Sequence, residues 1–193
     1  MKIEIATIED VPELMELHDK AFFAIAAEVN WLDAPGLKES LEQALEDFPK
    51  YMTLKMLSDE GKIVGSVRGR VEEGSLYIGR LMVLPECQKN GYGRILLREI
   101  QSMLPHSRTW LDTSGDVPET VSFYEREGFR TFESKRFENG VSWIFMEKSE
   151  ARVIRRFYVT SELLRKKKSL ISFLEVFVHE FFCFFTPFFR FFV

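Results

Sequence analysis

Cysteine and histidine are scarce in this sequence. Its 193 residues include two cysteines, Cys87 and Cys183, and three histidines. Two cysteines cannot build the disulfide framework of a small secreted domain, and their spacing gives no set of metal ligands, so we expect no metal in this protein. The N-terminus also lacks the pattern of a secretory signal, which favours a cytoplasmic location.

Basic residues are fewer than acidic residues over most of the chain. Residues 1–150 contain 18 Lys and Arg against 27 Asp and Glu, a net charge of −9, whereas residues 151–193 carry a net charge of +5. A nucleic-acid partner needs clustered cations to neutralise phosphates, so the acidic body of the chain argues against such a partner.

Two common phosphate-binding motifs, the P-loop G-x-x-x-x-G-K-[ST] and the dinucleotide motif G-x-G-x-x-G, are absent. A different glycine-containing turn occupies the centre of the chain, between a buried strand predicted at 75–84 and an amphipathic helix predicted at 92–103. Free backbone N–H groups and the helix dipole make such a turn suited to phosphates. Gly91 and Gly93 would let the main chain approach a bulky anion.

The remainder of the chain shows alternating strand and helix patterns without an internal repeat. The dipeptide Asn139-Gly140 is the sharpest hairpin signal in the sequence. Hydrophobic periodicity and turn residues predict helices at 11–27, 37–48, 92–103 and 118–127, and strands at 2–8, 51–57, 62–72, 75–84, 107–113, 129–137 and 141–147.

Two motifs resemble those of the GCN5-related N-acetyltransferases, the GNAT superfamily. The sequence Q-x-x-G-x-G at residues 88–93, behind a strand that ends with Leu-Met-Val at 81–83, resembles the coenzyme A pyrophosphate loop. The sequence F-Y-x-x-x-G-F at residues 123–129 resembles the signature that follows it. The resemblance covers residues 1–148 and implies an α/β (α+β) domain. Its central sheet would be mixed and mainly antiparallel, with about seven strands flanked by about four helices.

The resemblance implies transfer of an acetyl group from acetyl-CoA to a primary amine of a small molecule or peptide, by direct attack without a covalent enzyme intermediate. The acidic body favours a cationic acceptor and leaves neutral ones open. The backbone of Leu81, Met82 and Val83 would hold the thioester arm. The pyrophosphate would bind the following turn and helix start, with Lys89 and Arg94 adding charge: Gln88, Lys89, Asn90, Gly91, Tyr92, Gly93 and Arg94.

Tyr124, in the second motif, is the implied general acid for the departing thiolate, and a purely core-packing tyrosine is the alternative. The general base stays open. The position at which the histone-modifying branch of the family has a glutamate holds Tyr77 in this chain. A base would therefore act through water, or come from Glu28, Asp33 or Asp112.

The loop between the first two helices forms the acceptor side in this superfamily, so Phe22, Glu28 and Trp31 are candidate substrate-binding residues. The missing glutamate keeps a second function open, a regulatory module that binds acyl-CoA without turnover. The oligomeric state is also open, and a homodimer is one of the options.

The last segment, 149–193, differs in composition from the rest. Ten of the 23 residues from 171 to 193 are Phe, and the basic run Arg165-Lys166-Lys167-Lys168 precedes them. A membrane anchor, an interfacial helix and a non-native extension are the three interpretations. We favour the third over membrane contact, because the domain pattern is complete by residue 148.

Overall fold

The computed structural model describes residues 1–32 and 38–149. Its core is one seven-stranded sheet made of β1 (Lys2–Ile5), β2 (Met52–Leu57), β3 (Ile63–Glu72), β4 (Ser75–Val83), β5 (Arg108–Ser114), β6 (Arg130–Arg136) and β7 (Ser142–Ser149). The strands lie in the order β1-β2-β3-β4-β5-β7-β6. Only the β4–β5 pair is parallel and the other five pairs are antiparallel. The prediction of a mixed, mainly antiparallel sheet is confirmed.

Four helices flank the sheet in the described part of the chain: α1 (Val11–Glu28), α2 (Leu41–Asp47), α3 (Tyr92–Met103) and α4 (Pro118–Arg126). Polar side chains form hydrogen bonds at the N-terminal ends of two of these helices. Asp10 accepts a 2.7 Å hydrogen bond from the backbone N–H of Thr7 just before α1. Ser40 and Gln43 form a reciprocal cap at the start of α2, with bonds of 2.9 and 3.2 Å.

The helices cover opposite faces of the sheet. Buried residues of β2, β3, β4, β5 and β7 pack with Leu96, Leu97 and Ile100 of α3 and Tyr124 of α4 in the larger hydrophobic cluster. A second cluster joins α1 to the other face through side chains that include Ile63 and Met82. Strand β4 contributes to both clusters, because a bulge between Ile78 and Met82 shifts the alternation of its side chains by one residue.

Strands β4 and β5 are joined over only part of their length. Their pairing runs from Ser75 opposite Arg108 to Ile78 opposite Leu111 and stops there. Just beyond, β4 carries a bulge against β3, and Arg80 within the bulge has φ 50°. The second half of β4 therefore keeps a backbone edge that is not paired with β5.

Most predicted boundaries agree with the structure within two residues, and α3 matches its predicted range. The described part of α2 starts at Leu41 because Ser40 caps it, whereas the pattern predicted a start at residue 37, which lies outside the described residues. The tail predictions also lie outside them, beyond the end of β7 at Ser149. Within 1–32 and 38–149, no helix is both long and apolar enough to cross a membrane.

Candidate active site

The turn between β4 and α3 has two residues with left-handed backbone. Lys89 has φ 63° and Gly91 has φ 81°, and such an alternation turns successive N–H groups towards one concave side. The side-chain amides of Gln88 and Asn90 brace the turn by donating to carbonyl groups that precede it, each at 3.2 Å. Gly91 precedes α3 without a capping side chain, so the N–H groups of the first helical turn remain available to an anion.

Arg94 is directed away from the turn. Its Nε donates a 2.7 Å hydrogen bond to Glu127, at the end of α4, and Arg98 donates to the same carboxylate at 2.9 Å. The Glu127 side chain is only 6 % exposed between these two arginines. The predicted contribution of Arg94 to an anion site therefore rests on its backbone N–H, while its side chain joins α3 to α4.

The unpaired edge of β4 contains the three residues predicted to hold a thioester arm. Met82 is buried against α1, whereas Leu81 and Val83 are partly buried against the α3 side. Their side chains thus pack into the two clusters, and the backbone between them faces the gap towards β5. A backbone edge of this kind can hydrogen-bond an extended ligand, as an added strand does.

Tyr124 lies in the larger cluster and is only 8 % exposed. Its ring packs edge-on against Phe123 and Phe129, with centroid distances of 5.0 and 5.8 Å. Burial, and after it the charge of Asp112, raise the pKa of Tyr124 well above the ordinary value for a phenol. The ring therefore packs as a core residue does, while the hydroxyl keeps its proton at neutral pH, as a general acid must.

Asp112 lies on β5 one residue beyond the last pair with β4. Its Oδ1 accepts a hydrogen bond from the Tyr77 hydroxyl at 2.9 Å, and its Oδ2 accepts one from Nε1 of Trp143 at 3.0 Å. Burial and the neighbouring Asp112 raise the pKa of Tyr77. Tyr77 is therefore a hydrogen-bond donor at neutral pH and cannot act as a base, and Asp112 is the carboxylate that this position presents.

A cleft of about 520 Å³ opens beside Asp112. It lies on the α1 side of the sheet, because Leu76, Ile78 and Leu111 point into the α3–α4 cluster and their strand neighbours point the other way. We call it the acceptor cleft. Six aromatic and three charged side chains line it: Tyr51, Tyr77, Trp110, Phe137, Trp143, Phe145, Arg70, Asp112 and Lys135.

Trp31, predicted as an acceptor residue, contacts the wall of this cleft. Its ring centroid is 4.8 Å from that of Phe137 and 6.2 Å from that of Trp143, to which it is perpendicular. The contact joins the segment after α1 to the β6–β7 hairpin.

The other two predicted acceptor residues do not line the cleft. Phe22 packs on the ring of His18, with a centroid distance of 4.8 Å, and Glu28 is exposed at the end of α1. Of the three carboxylates considered as bases, only Asp112 lines the acceptor cleft among the residues that the structure describes. Asp33 lies outside the described residues.

The sequence did not indicate the hydrogen bonds of Asp112 or the cleft residues Tyr51, Arg70 and Lys135. Alternation along β5 could have placed Trp110 and Asp112 on one face, since residues two apart on a strand share a side. It could not have identified the neighbouring strands, whose order is not a local property of the sequence.

Known families and solved structures share this fold. The family described as acetyltransferase (GNAT) domain matches residues 29–150. A search of curated proteins finds no match. Among solved structures, the PaiA N-acetyltransferase from Thermoplasma acidophilum, in complex with coenzyme A, superposes with a TM-score of 0.65. It is 20 % identical, and the match covers 78 % of this chain and 100 % of that chain.

Two further structures have the same fold. The ribosomal-protein-S18-alanine N-acetyltransferase from Escherichia coli has a TM-score of 0.60 at 17 % identity, covering 81 % of this chain and 98 % of its own. A phosphinothricin acetyltransferase from Sinorhizobium meliloti, in complex with AcCoA, has a TM-score of 0.61 at 17 % identity, covering 77 % and 87 %. At these identities the likeness concerns the fold.

Proposed function

The chain belongs to the GNAT family of acetyltransferases, and from that premise we propose that it acetylates a primary amine bound in the acceptor cleft, with acetyl-CoA as the donor. The acceptor is a small molecule or a peptide. The solved structures of the same fold include enzymes described as acting on a ribosomal protein and on phosphinothricin, so the fold serves acceptors of both sizes.

One observation supports the proposal above all others, the position of the unpaired β4 edge. At its end lies the turn whose amides suit a diphosphate. Across the gap towards β5 lies Asp112, which lines the acceptor cleft. A thioester held along Leu81, Met82 and Val83 would therefore meet an amine that enters from the cleft.

The attacking amine must be neutral, and Asp112 is the group that takes its proton, directly or through one water. Tyr77 and Trp143 each donate one hydrogen bond to this carboxylate and fix its orientation. Each of its oxygens retains further acceptor capacity, because a carboxylate has about four lone-pair sites. An ammonium group can thus approach Asp112 without displacing either donor.

As the new N–C bond forms and the C–S bond breaks, the leaving sulfur acquires negative charge. Tyr124 gives its proton to that thiolate, and the buried phenol is protonated over the working pH range because burial raises its pKa. The backbone N–H groups of the β4 edge stabilise the charge that develops on the carbonyl oxygen. The departing thiol then leaves along the route of the coenzyme.

A regulatory module that binds acyl-CoA without turnover is less well supported, because such a module has no need of a carboxylate oriented by two donors beside the thioester position. A donor made by intracellular metabolism also supports the cytoplasmic location expected from the sequence.

The decisive experiment follows release of free thiol from acetyl-CoA with a panel of primary amines. We expect amine-dependent release and a product whose mass is increased by one acetyl group. Binding of acetyl-CoA without release for any amine in the panel would favour the regulatory module instead. Absence of binding would contradict both functions.

A further inference from the structure

The charged side chains that line the acceptor cleft are mostly positive, although the domain has a net negative charge. Residues 1–150 carry −9, but the cleft is lined by two cations, Arg70 and Lys135, and one anion, Asp112. The anion lies on β5, between the cation on β3 and the cation on β6 in the strand order. An amine that approaches Asp112 therefore has positive charge on both sides.

A second arginine, Arg68, lies beside Tyr51 at the β3 end of the cleft and adds a positive charge there. The Arg68 guanidinium lies 4.1 Å from the centre of the Tyr51 ring, and that of Arg70 lies 5.0 Å from it. The two arginines are on the same side of β3, two residues apart. Two guanidinium groups thus share one ring at the wall of the cleft.

The two arginines differ in how they are neutralised. Within 1–32 and 38–149, Arg68 has no ion pair, and its buried Nε has no hydrogen-bond partner. Arg70 forms an ion pair with Glu72: its Nη2 donates a 3.3 Å hydrogen bond to one carboxylate oxygen, and its Nε lies 2.9 Å from the other. The Glu72 side chain is 63 % exposed, so water weakens its effect on Arg70. A guanidinium group without an ion pair, beside one that is paired only with an exposed carboxylate, favours an anion at this end of the cleft.

The aromatic rings of the cleft do not offer a free cage for a second ammonium group. Tyr51 is already covered by the two arginines, and Lys135 Nζ lies 4.9 Å from the centre of the Phe145 ring. A polyamine extending from Asp112 in either direction would meet a resident cation. The charges therefore argue against a polycationic acceptor.

Resting on the proposed function, we propose that the acceptor is a compact amphoteric amine whose anionic group, a carboxylate or a phosphorus oxyanion, is bound by Arg70 beside Tyr51. Arg68, 4.1 Å from the centre of the same ring, adds positive charge nearby. Arg70 and Asp112 lie two strands apart and two residues apart along the strands, because Arg70 is opposite Tyr77 and Tyr77 is opposite Trp110. Their backbones are therefore about 12 Å apart at the usual strand spacing and rise, and both side chains line the cleft. The remaining gap suits an amino acid or a derivative of similar length.

The test compares acceptors that differ only in the anionic group. Phenylalanine and leucine are each assayed as the free acid and as the α-amide, aminomethylphosphonate is assayed beside its diethyl ester, and spermidine is the polycation. The amide has the less basic amine and so more of the neutral nucleophile at a given pH. A preference for the acid therefore cannot arise from amine basicity. We expect kcat/KM for the best acid or phosphonate to exceed that of its neutral counterpart and of spermidine at least tenfold.

The variant Arg70→Gln tests whether Arg70 binds the anionic group of the acceptor. A charge-assisted hydrogen bond corresponds to about a tenfold to hundredfold change in kcat/KM, so we expect the loss to be at least tenfold greater for acids than for amides. Arg70→Lys keeps the charge beside Tyr51 and should restore part of the preference. Lys2→Gln removes a cation from the far edge strand β1 and should leave the preference unchanged.

Equal or better turnover of amides or spermidine by the unaltered protein would overturn the inference, as would an equal loss for acids and amides in Arg70→Gln. Absence of thiol release with every amine would contradict the proposed function separately. In that case, binding of the free acids is measured by the quenching of tryptophan fluorescence, and this measurement decides whether the anion site exists. Quenching that is lost in Arg70→Gln supports an anion site, and no quenching overturns it.

Discussion

The hydroxyl of Tyr77 donates a 2.9 Å hydrogen bond to Asp112 across the point at which β4 and β5 separate. The resemblance to the histone-modifying branch implies a glutamate at the position of Tyr77, and burial with the nearby carboxylate raises the pKa of Tyr77 and keeps its hydroxyl protonated. Asp112, on the neighbouring strand, is the carboxylate that lies beside this gap. In the proposed mechanism it is the base.

Replacing that carboxylate gives the most direct test of the mechanism. Asp112→Asn keeps the size of the side chain but cannot accept a proton, so we expect kcat to fall about 10²- to 10⁴-fold with little change in affinity for acetyl-CoA. Tyr77→Phe removes one donor and leaves the base, so its loss in kcat should be smaller. Steady-state kinetics of the two variants measures both losses in kcat. An Asp112→Asn variant that retains half of kcat would exclude Asp112 as the base.

The geometry of the pair depends on Gly79. A Cβ at this position would lie 3.1 to 3.2 Å from the Tyr77 ring and hydroxyl, which is tighter than ordinary van der Waals contact, so a side chain at residue 79 would push the ring. We expect Gly79→Ala to displace Tyr77 and to lower kcat by about as much as Tyr77→Phe. A double-mutant cycle measures the coupling. If Gly79→Ala lowers kcat as strongly in the Tyr77→Ala background as alone, the glycine acts by another route.

Local sequence signals predicted the parts of the site that lie close together in the chain. The turn at 88–93 and the helix that follows it were predicted because strand, glycine and helix patterns adjoin one another. The Tyr77–Asp112 pair joins residues 35 positions apart. It depends on the parallel β4–β5 register, on the bulge at Arg80 and on the folding back of β7, and none of these follows from local periodicity.

The charge of the acceptor illustrates a different limit of inference from composition. Net charge summed over 150 residues describes the long-range field of the domain, which governs encounter and solubility. Binding in a cleft depends on the few charges that line it. Here Arg70 and Lys135 outnumber Asp112, and only the fold brings these three residues from distant strands into one cavity.

The hydroxyl of Tyr124 can be tested separately from its ring. Tyr124→Phe preserves the packing against Phe123 and Phe129 while removing the proton donor. We expect kcat to fall about tenfold or more, with unchanged affinity for acetyl-CoA. The defect should shrink when the acetyl donor is a thioester of a more acidic thiol, which needs less help to leave. An equal defect with both donors would contradict the role of Tyr124 as the acid.

Both buried tyrosines should make stability fall at alkaline pH. The pKa values of Tyr77 and Tyr124 are raised in the folded protein by burial and by Asp112, whereas the unfolded chain loses these protons near pH 10. Their contribution is therefore fully present below about pH 10 and is lost as the pH rises towards the folded-state pKa. The free energy of unfolding should fall there by up to about 1.4 kcal/mol per pH unit for each tyrosine.

Urea unfolding at pH 8 and at several values above 10 measures this slope. The double variant Tyr77→Phe, Tyr124→Phe has neither phenol and should show a shallower alkaline decline than the unaltered protein. The same decline in both proteins would assign the effect to other groups.

The two glycines of the coenzyme turn should respond differently to alanine. A Cβ at Gly93 would make only ordinary van der Waals contacts, 3.8 Å from Phe123 and 3.9 Å from Val83. Alanine is also a better helix former than glycine. Gly93→Ala should therefore leave Tm unchanged or raise it, yet weaken coenzyme A binding about tenfold if the backbone approaches the diphosphate closely. Calorimetry and thermal unfolding on one preparation give both quantities.

Gly91 and Gly140 provide the matched comparison, because both have left-handed backbone, with φ 81° and 88°, and open space around the position of a Cβ. Alanine at either site should cost roughly 1 kcal/mol of stability. Only Gly91→Ala should also weaken coenzyme A binding, since Gly140 lies in the β6–β7 turn. If both variants lost stability but neither lost affinity, and Gly93→Ala bound normally, the diphosphate would have to bind elsewhere on the domain.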